Sequence, residues 1–355
     1  MSKQDNLEND LEFDNSHKQS AELNSTDSRR DFIFNSGKAA LAVGLVGAGV
    51  GGAHAMSGTV GEMPKVSDKA ELKYFDNYWN RDTYAKLVGD LDFGKERFGW
   101  FKGKAMGVRK GEKVRDLVGF EGFSFARLQD LGNGVYQKLL REVGFYTDLK
   151  TGEVLDTYVN PYTDEEVKVV HIANDPFNYK VGPFYPKPPA YGGLNPEDIP
   201  DIPFILPWQE MPDGNVVLET GIHLYYPSAL QPDKWPRESS GKFNRVSEMF
   251  RYVIKKEDLE NPDLTQIDYT GTWSRITPWF PWMLMGQSEG HMTYICTMGA
   301  YQEDQIENVV SAPVLAYAKK HYPKYFTAPD KYEEPSLSSL EHYAREQTPA
   351  PVKKK

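Results

Sequence analysis

From residue 97 onward, apolar and polar positions alternate with the two-residue period of half-buried strands, interrupted at short intervals by turn residues. The alternation predicts strands over 98–108, ending at Arg109-Lys110-Gly111-Glu112, over 114–128, running to Leu131-Gly132-Asn133-Gly134, and over 135–147, ending near Lys150-Thr151-Gly152. Segments 153–159 and 165–172 form a hairpin across Asn160-Pro161-Tyr162-Thr163-Asp164, because the Asn-Pro pair is turn chemistry. Strands resume at 216–226, 244–254, 266–276 and 291–300. Between 176 and 212 prolines are too dense for regular sheet, since each lacks a ladder donor, and the stretch is too aromatic for a solvated linker. It reads as a long ordered loop. Helices are predicted over 76–91, with Tyr78, Trp79, Tyr84 and Leu87 facing inward, and after the sheet over 313–322 and 336–346. Short connections between successive strands favour an antiparallel sheet that closes or folds on itself. The fold class is mainly β: an antiparallel barrel with N-terminal and C-terminal helices, with a β-sandwich as the alternative.

A different pattern precedes the strands. Residues 1–27 are polar and acidic and predict disorder. Ser28-Arg29-Arg30-Asp31-Phe32-Ile33 is followed by a glycine-rich apolar run over 39–50 and then by Ala53-His54-Ala55. The run is too short to cross a hydrocarbon core of roughly 30 Å as a helix. The order of features resembles a twin-arginine export signal with cleavage after Ala55. This predicts a periplasmic protein, the twin-arginine translocase as its partner in export, and no stable membrane anchor. The chain then divides into signal peptide (1–55), tether and first helix (56–95), β domain (96–302) and C-terminal helices with a tail (303–355).

Composition narrows the chemistry. With 41 basic against 51 acidic residues, the chain lacks the cationic surplus that nucleic acid demands. Its single cysteine, Cys296, permits no internal disulfide in an oxidising compartment. No C-x-x-C, haem-attachment, H-E-x-x-H or dinucleotide-binding pattern occurs, so no cofactor and no metal is assigned. Aromatic residues reach 13 %, which suits interlocked β cores and ligand cavities alike.

Phe145-Tyr146-Thr147-Asp148 through Thr151-Gly152-Glu153-Val154, Asn160-Pro161 and His171-Ile172-Ala173-Asn174-Asp175-Pro176 together resemble the DUF1838 family. Thr272-Trp273 and the block Pro278-Trp279-Phe280-Pro281-Trp282-Met283-Leu284-Met285-Gly286 fit the same family, so the resemblance spans roughly residues 90–300. Members commonly carry twin-arginine signals. The resemblance implies a calycin-like, lipocalin-resembling barrel and brings no assigned activity and no site residues.

Candidate residues follow from strand parity. Glu121 shares a face with Leu117, Phe123 and Phe125, as either an acid/base or half of an ion pair. Glu219 and His223 share the polar face of 216–226 with Tyr225, about 13 Å apart by strand rise, too far to touch but able to line one cavity or one solvated face. Arg251 is a partner for Glu121 or an anchor for an anion. His171 reads as a loop-capping structural histidine. His291 opens the last strand, on the face opposite Cys296. Trp273, Arg275, Trp279 and Trp282 form the densest stretch, which either plugs one end of the sheet or walls a pocket.

These residues suggest a cofactor-independent lyase, hydratase or isomerase acting on a small apolar or aromatic molecule in the barrel. Glu121, His223 and His291 would be its acid/base groups, with Arg251, Arg275, Trp273, Trp279, Trp282 and Tyr225 binding substrate. The alternative is a non-catalytic carrier of such a ligand. The export reading has a direct check. Replacing Arg29 and Arg30 by lysine should leave a precursor in the cytoplasm with its first 55 residues attached, as read by fractionation and intact mass; normal export of the double variant would refute it.

Overall fold

The computed structural model describes residues 70–174, 178–187, 196–301, 305–332 and 337–352. The export-like segment, with Arg29, Arg30 and Ala55, lies outside them. The predicted alternation becomes β1 (Arg97–Val108), β2 (Arg115–Asp130), β3 (Tyr136–Thr147), β4 (Thr157–Asn160), β5 (Glu165–Lys168), β9 (Asn215–Pro227), β10 (Phe243–Lys255), β11 (Tyr269–Thr277) and β12 (His291–Ala300). Three short strands, β6 (Ile172–Asn174), β7 (Lys180–Val181) and β8 (Trp208–Glu210), punctuate the proline-rich region and its approach. All pairings are antiparallel.

One ten-stranded sheet runs in the order β6-β3-β2-β1-β12-β11-β10-β9-β8, with β7 also on β3, while β4 and β5 form a separate ladder. The architecture is a mainly β antiparallel fold. Closure, the expected barrel, is not found: among the described residues no ladder joins the β8 edge to the β6 and β7 edge. The sheet nevertheless curls. Directly opposed residues point to the same face, so Tyr146, Phe120, Gly103, Cys296 and Trp273 form one row across β3, β2, β1, β12 and β11. On a flat sheet, rings three strands apart would stand about 14 Å from one another. Phe120 and Trp273 have centroids 6.0 Å apart, and the hydroxyls of Tyr146 and Tyr294 meet at 2.7 Å. Glycine makes room for this inward lean: a Cβ on Gly144 would stand 2.6 Å from the Phe120 ring.

The concave face carries most of the core. At one end, Leu218, Tyr252, Ile254 and Met298 pack with Leu87 of α1 (Asn77–Val88). Asp76 caps this helix by accepting from Trp79 N at 2.7 Å. Tyr78, expected inward, is 52 % exposed, and the buried residue of that turn is Asn80. Its amide donates to the Tyr74 and Asp76 carbonyls, and its oxygen accepts from Leu206 N and Trp208 Nε1. One amide therefore ties α1 to the proline-rich segment, and hydrogen bonding overrides the apolar pattern there.

The convex face divides in two. On β9–β12 it is solvated. On β2 and β3, Phe123, Val143 and Phe145 are sealed by Val314, Leu315 and Ala318 of α4 (Ala312–His321), which follows the short α2 (Lys256–Leu259) and α3 (Ile306–Val309) in the chain. Glu121 holds this cover in place. Its carboxylate, 4 % exposed, accepts from Ser311 N at 2.6 Å and Ser311 Oγ at 3.0 Å, just ahead of α4, with Lys102 Nζ at 3.1 Å. Glu121→Ala would strip the partner from a part-buried N–H and should cost about 2–3 kcal/mol in urea unfolding, with Glu121→Gln costing markedly less. Equal losses in the two variants would show that the bond to Ser311 contributes nothing.

Candidate functional site

The other end of the concave face is polar inside an aromatic wall. The row after Gly103 contains Tyr294, Arg275 and Glu248 on β12, β11 and β10. The segment between β11 and β12 folds back over it. Pro281–Met283 make one 3-10 turn that ends at Leu284 in the left-handed region (φ 57°), and Phe280, Trp282 and Met283 are buried. Asn160, fully buried in the β4–β5 turn, pins this fold by donating to Met283 O at 2.8 Å and Met285 Sδ at 3.2 Å. The helix α5 (Ser339–Glu346) closes the side with Leu340 and Tyr343, behind a capping box of Ser338 and Glu341.

Between these elements lies a cavity of ≈ 40 Å³ lined by Tyr146, His171, Arg275, Trp282, Tyr294 and His342, among others. That is room for a few water-sized groups. Three of its lining residues carry a buried nitrogen with no hydrogen-bond partner among the described residues: His171 Nε2, Arg275 Nε and Trp282 Nε1. His171 Nδ1 accepts from Tyr146 N at 3.2 Å, so the proton of the neutral ring resides on Nε2. All three orphaned atoms are thus donors. Trp282 Nε1 approaches the Tyr146 hydroxyl without completing a bond in donor geometry.

Arg275 is held but not saturated. Its Nε stands 3.5 Å from Glu248 Oε1, an ion-pair distance outside hydrogen-bond geometry, and Nη2 reaches Ser339 Oγ at 3.4 Å. Trp273 Nε1 donates to the other Glu248 oxygen at 3.1 Å. Burial pulls the guanidinium pKa down, but Glu248 and the tyrosines Tyr294, Tyr226 and Tyr146 outweigh it, so Arg275 stays charged. Burial raises the Tyr146 phenol to about 12, and it raises Tyr294 well above its ordinary value. Both phenols are therefore neutral, and since their mutual bond uses one hydroxyl proton, the pair has one O–H left to donate. The chemistry on offer is a fixed cation and several O–H and N–H donors converging in an aromatic-walled space, a setting suited to an oxygen that carries or develops negative charge.

Of the residues singled out from the sequence, Arg275, Trp279 and Trp282 meet at this cavity, and Trp273 packs on Tyr294 with centroids 5.2 Å apart. The segment both plugs the sheet and walls the pocket. The remaining candidates lie on the convex face and do not converge. Glu121 is bound to Ser311. His223 is exposed on β9, five strands from Glu121 in the sheet order. His291 sits half-buried opposite Val108 at the start of β12. Arg251 pairs with exposed Glu219 at 3.4 Å, and Tyr225, 68 % exposed, stacks on Phe243. Of the two alternatives for the face of Glu219, His223 and Tyr225, the structure shows the solvated one: all three side chains are solvent-exposed, because β9 and β10 turn their other face inward.

Sequence reasoning missed Tyr146, Tyr294 and His342 and took His171 for a plain cap. Tyr294 alternates with buried Met292 and Cys296, which was a legible signal that it faces inward. Cys296 on the same face is inert, its thiol pushed by burial to about 12. Among the described residues, no three His, Cys, Asp or Glu side chains gather to hold a metal ion.

Residues 94–347 match the model of a family described as Protein of unknown function (DUF1838). The chain belongs to this family. No curated protein matches it. The DUF1838 region runs from the residues just before β1 to the end of α5, so it contains every element that builds the cavity.

His171 gives this DUF1838 protein a measurable pH signature. Burial lowers its pKa to about 4, an effect offset in part by Asp156 and reinforced by His321. The unfolded imidazole titrates near 6.5, so below that pH the unfolded chain takes up a proton that the folded one refuses. Stability should fall as pH drops from about 6.5 to about 4, by on the order of 3 kcal/mol, then stop changing on this account. Urea melts of wild type and His171→Gln across that window check it: the variant should lose this component of the slope.

Proposed function

We propose that this DUF1838 protein is a periplasmic, cofactor-independent enzyme of the lyase, hydratase or isomerase type. Its substrate is a small molecule with an apolar or aromatic body and a carbonyl or carboxylate oxygen. The curled sheet serves as a calycin-like cup, and the twin-arginine-like segment at 28–55 accounts for the location. The observation that supports the reading is the convergence of Tyr146, Tyr294 and charged Arg275 with the orphaned N–H groups of Trp282 and His171 at one aromatic-walled cavity.

In this proposal the substrate oxygen takes the acceptor position those donors leave open. Arg275 and the tyrosine pair stabilise the charge that builds on it, and Tyr146 or Tyr294 supplies a proton. His171 is a poor base, because burial depresses its pKa and Nδ1 is engaged. His342, on α5 at the cavity wall, is the base we assign. The cavity as it stands takes only the oxygen end, so the body of the substrate enters by displacing the buried rings of Trp279, Phe280 and Trp282.

The carrier reading has one observation in its favour: among the described residues, no Asp or Glu lines the cavity. Hydrogen–deuterium exchange at the α-carbon of a simple probe, cyclohexenone, separates the two. An enzyme of this type should accelerate exchange, and Tyr146→Phe or Arg275→Met should each slow it about 10²-fold. Saturable binding without exchange would make the protein a carrier. Failure of cyclohexenone and benzoate to perturb tryptophan fluorescence would sink both readings.

A further inference from the structure

A second cavity lies outside this site, at the hairpin between β1 and β2. The loop Arg109-Lys110-Gly111-Glu112-Lys113-Val114-Arg115 places four cations and one carboxylate in seven residues of a chain that is acidic overall. Gly111, at φ 75°, reverses the backbone in the left-handed region and sets Arg109 and Arg115 across from one another. Both guanidinium groups lie over Tyr162 of the β4–β5 turn, at 5.2 and 4.9 Å from its ring centroid. Arg115 Nη1 also donates to Pro161 O at 3.1 Å, and Glu112 stands 3.2 Å from Arg109 Nη1 and 3.9 Å from Arg115 Nη2. With Lys113, these groups wall a solvent-facing hollow of ≈ 450 Å³.

This is more than a solvated charge run. Stacking on one ring and bracing by one carboxylate fix two side chains that would otherwise lose rotamer freedom on binding. Pro161 O and Glu112 engage part of these N–H edges, and the remaining guanidinium N–H groups are available to an oxyanion. Glu112 offsets one of the three cations that line the hollow, Arg109, Lys113 and Arg115, and leaves a surplus of two positive charges there. We propose that this hollow is an anion site that takes the phosphate or sulfate end of a larger molecule, independently of the chemistry at Arg275. Its inner wall is continuous with the aromatic segment, since Tyr162 meets Trp279 edge-on with centroids 5.2 Å apart.

Inorganic pyrophosphate, titrated calorimetrically into the full chain at low salt, is the first probe. Saturable binding should appear, weaken as salt rises, and drop about tenfold for Lys113→Gln or Arg115→Gln. Lys113 is exposed, so its variant should leave the thermal melt unchanged and separate lost binding from lost folding. Co-sedimentation with phosphatidylglycerol vesicles, against phosphatidylcholine vesicles, distinguishes a lipid headgroup from a soluble ligand. Binding that is lost in Arg109→Gln/Arg115→Gln supports the site with either probe. Binding that survives in that double variant, or no binding of either probe, overturns it.

Discussion

The pairing of β1 with β12 is the constraint on which the architecture rests. From Trp100 opposite Gly299 to Val108 opposite His291, it joins a meander of β1–β3 to a meander of β9–β12. Without it there would be two open sheets, each with an apolar face exposed. With it, one sheet is wide enough to curl, and the curl carries side chains of β3 onto side chains of β11 and β12. The tyrosine pair, the ring cluster around Phe120 and the position of Arg275 all follow from that single ladder.

The site shows what this geometry costs. A charged guanidinium and unpartnered donors are buried where an apolar core would pack without penalty. The sheet tolerates them because the surrounding rings are closely set: Phe280 lies 5.0 Å from Tyr146 and 5.2 Å from Tyr294, centroid to centroid. Local polarity is therefore sustained by packing gathered from the whole concave face. Sites of this kind commonly give up stability in exchange for chemistry.

Most strand boundaries were legible within a residue or two, since alternation, glycine turns and the Asn160-Pro161 pair all act locally; β4 starts four residues later than expected, β5 ends four earlier and β11 starts three later. The plug was legible as well, because its aromatic density and two prolines fall within fourteen residues. Contacts between strands were not. Tyr146 and Tyr294 are separated by 148 residues, and Glu121 finds Ser311 at a separation of 190, so register alone brings them together. On the first helix an amide displaced a tyrosine from the inward face for want of other partners for the 204–208 segment. Pattern reading weighs apolar area and has no means of weighing an unpaired backbone N–H 126 residues away.

The cavity draws on β3, β11, β12 and α5, and this has a consequence for how the protein is made. A ribosome delivers β1 long before β12, and during that interval β1 has an unpaired edge facing the cytosol. Non-local ladders of this length form slowly, because loop closure precedes any contact that rewards it. No fragment ending before residue 300 can possess the completed cup, and α5 comes later still. Competence thus arises in one late step, when nearly the whole polypeptide is available, and chaperone protection of the early meander is the natural companion of such a design.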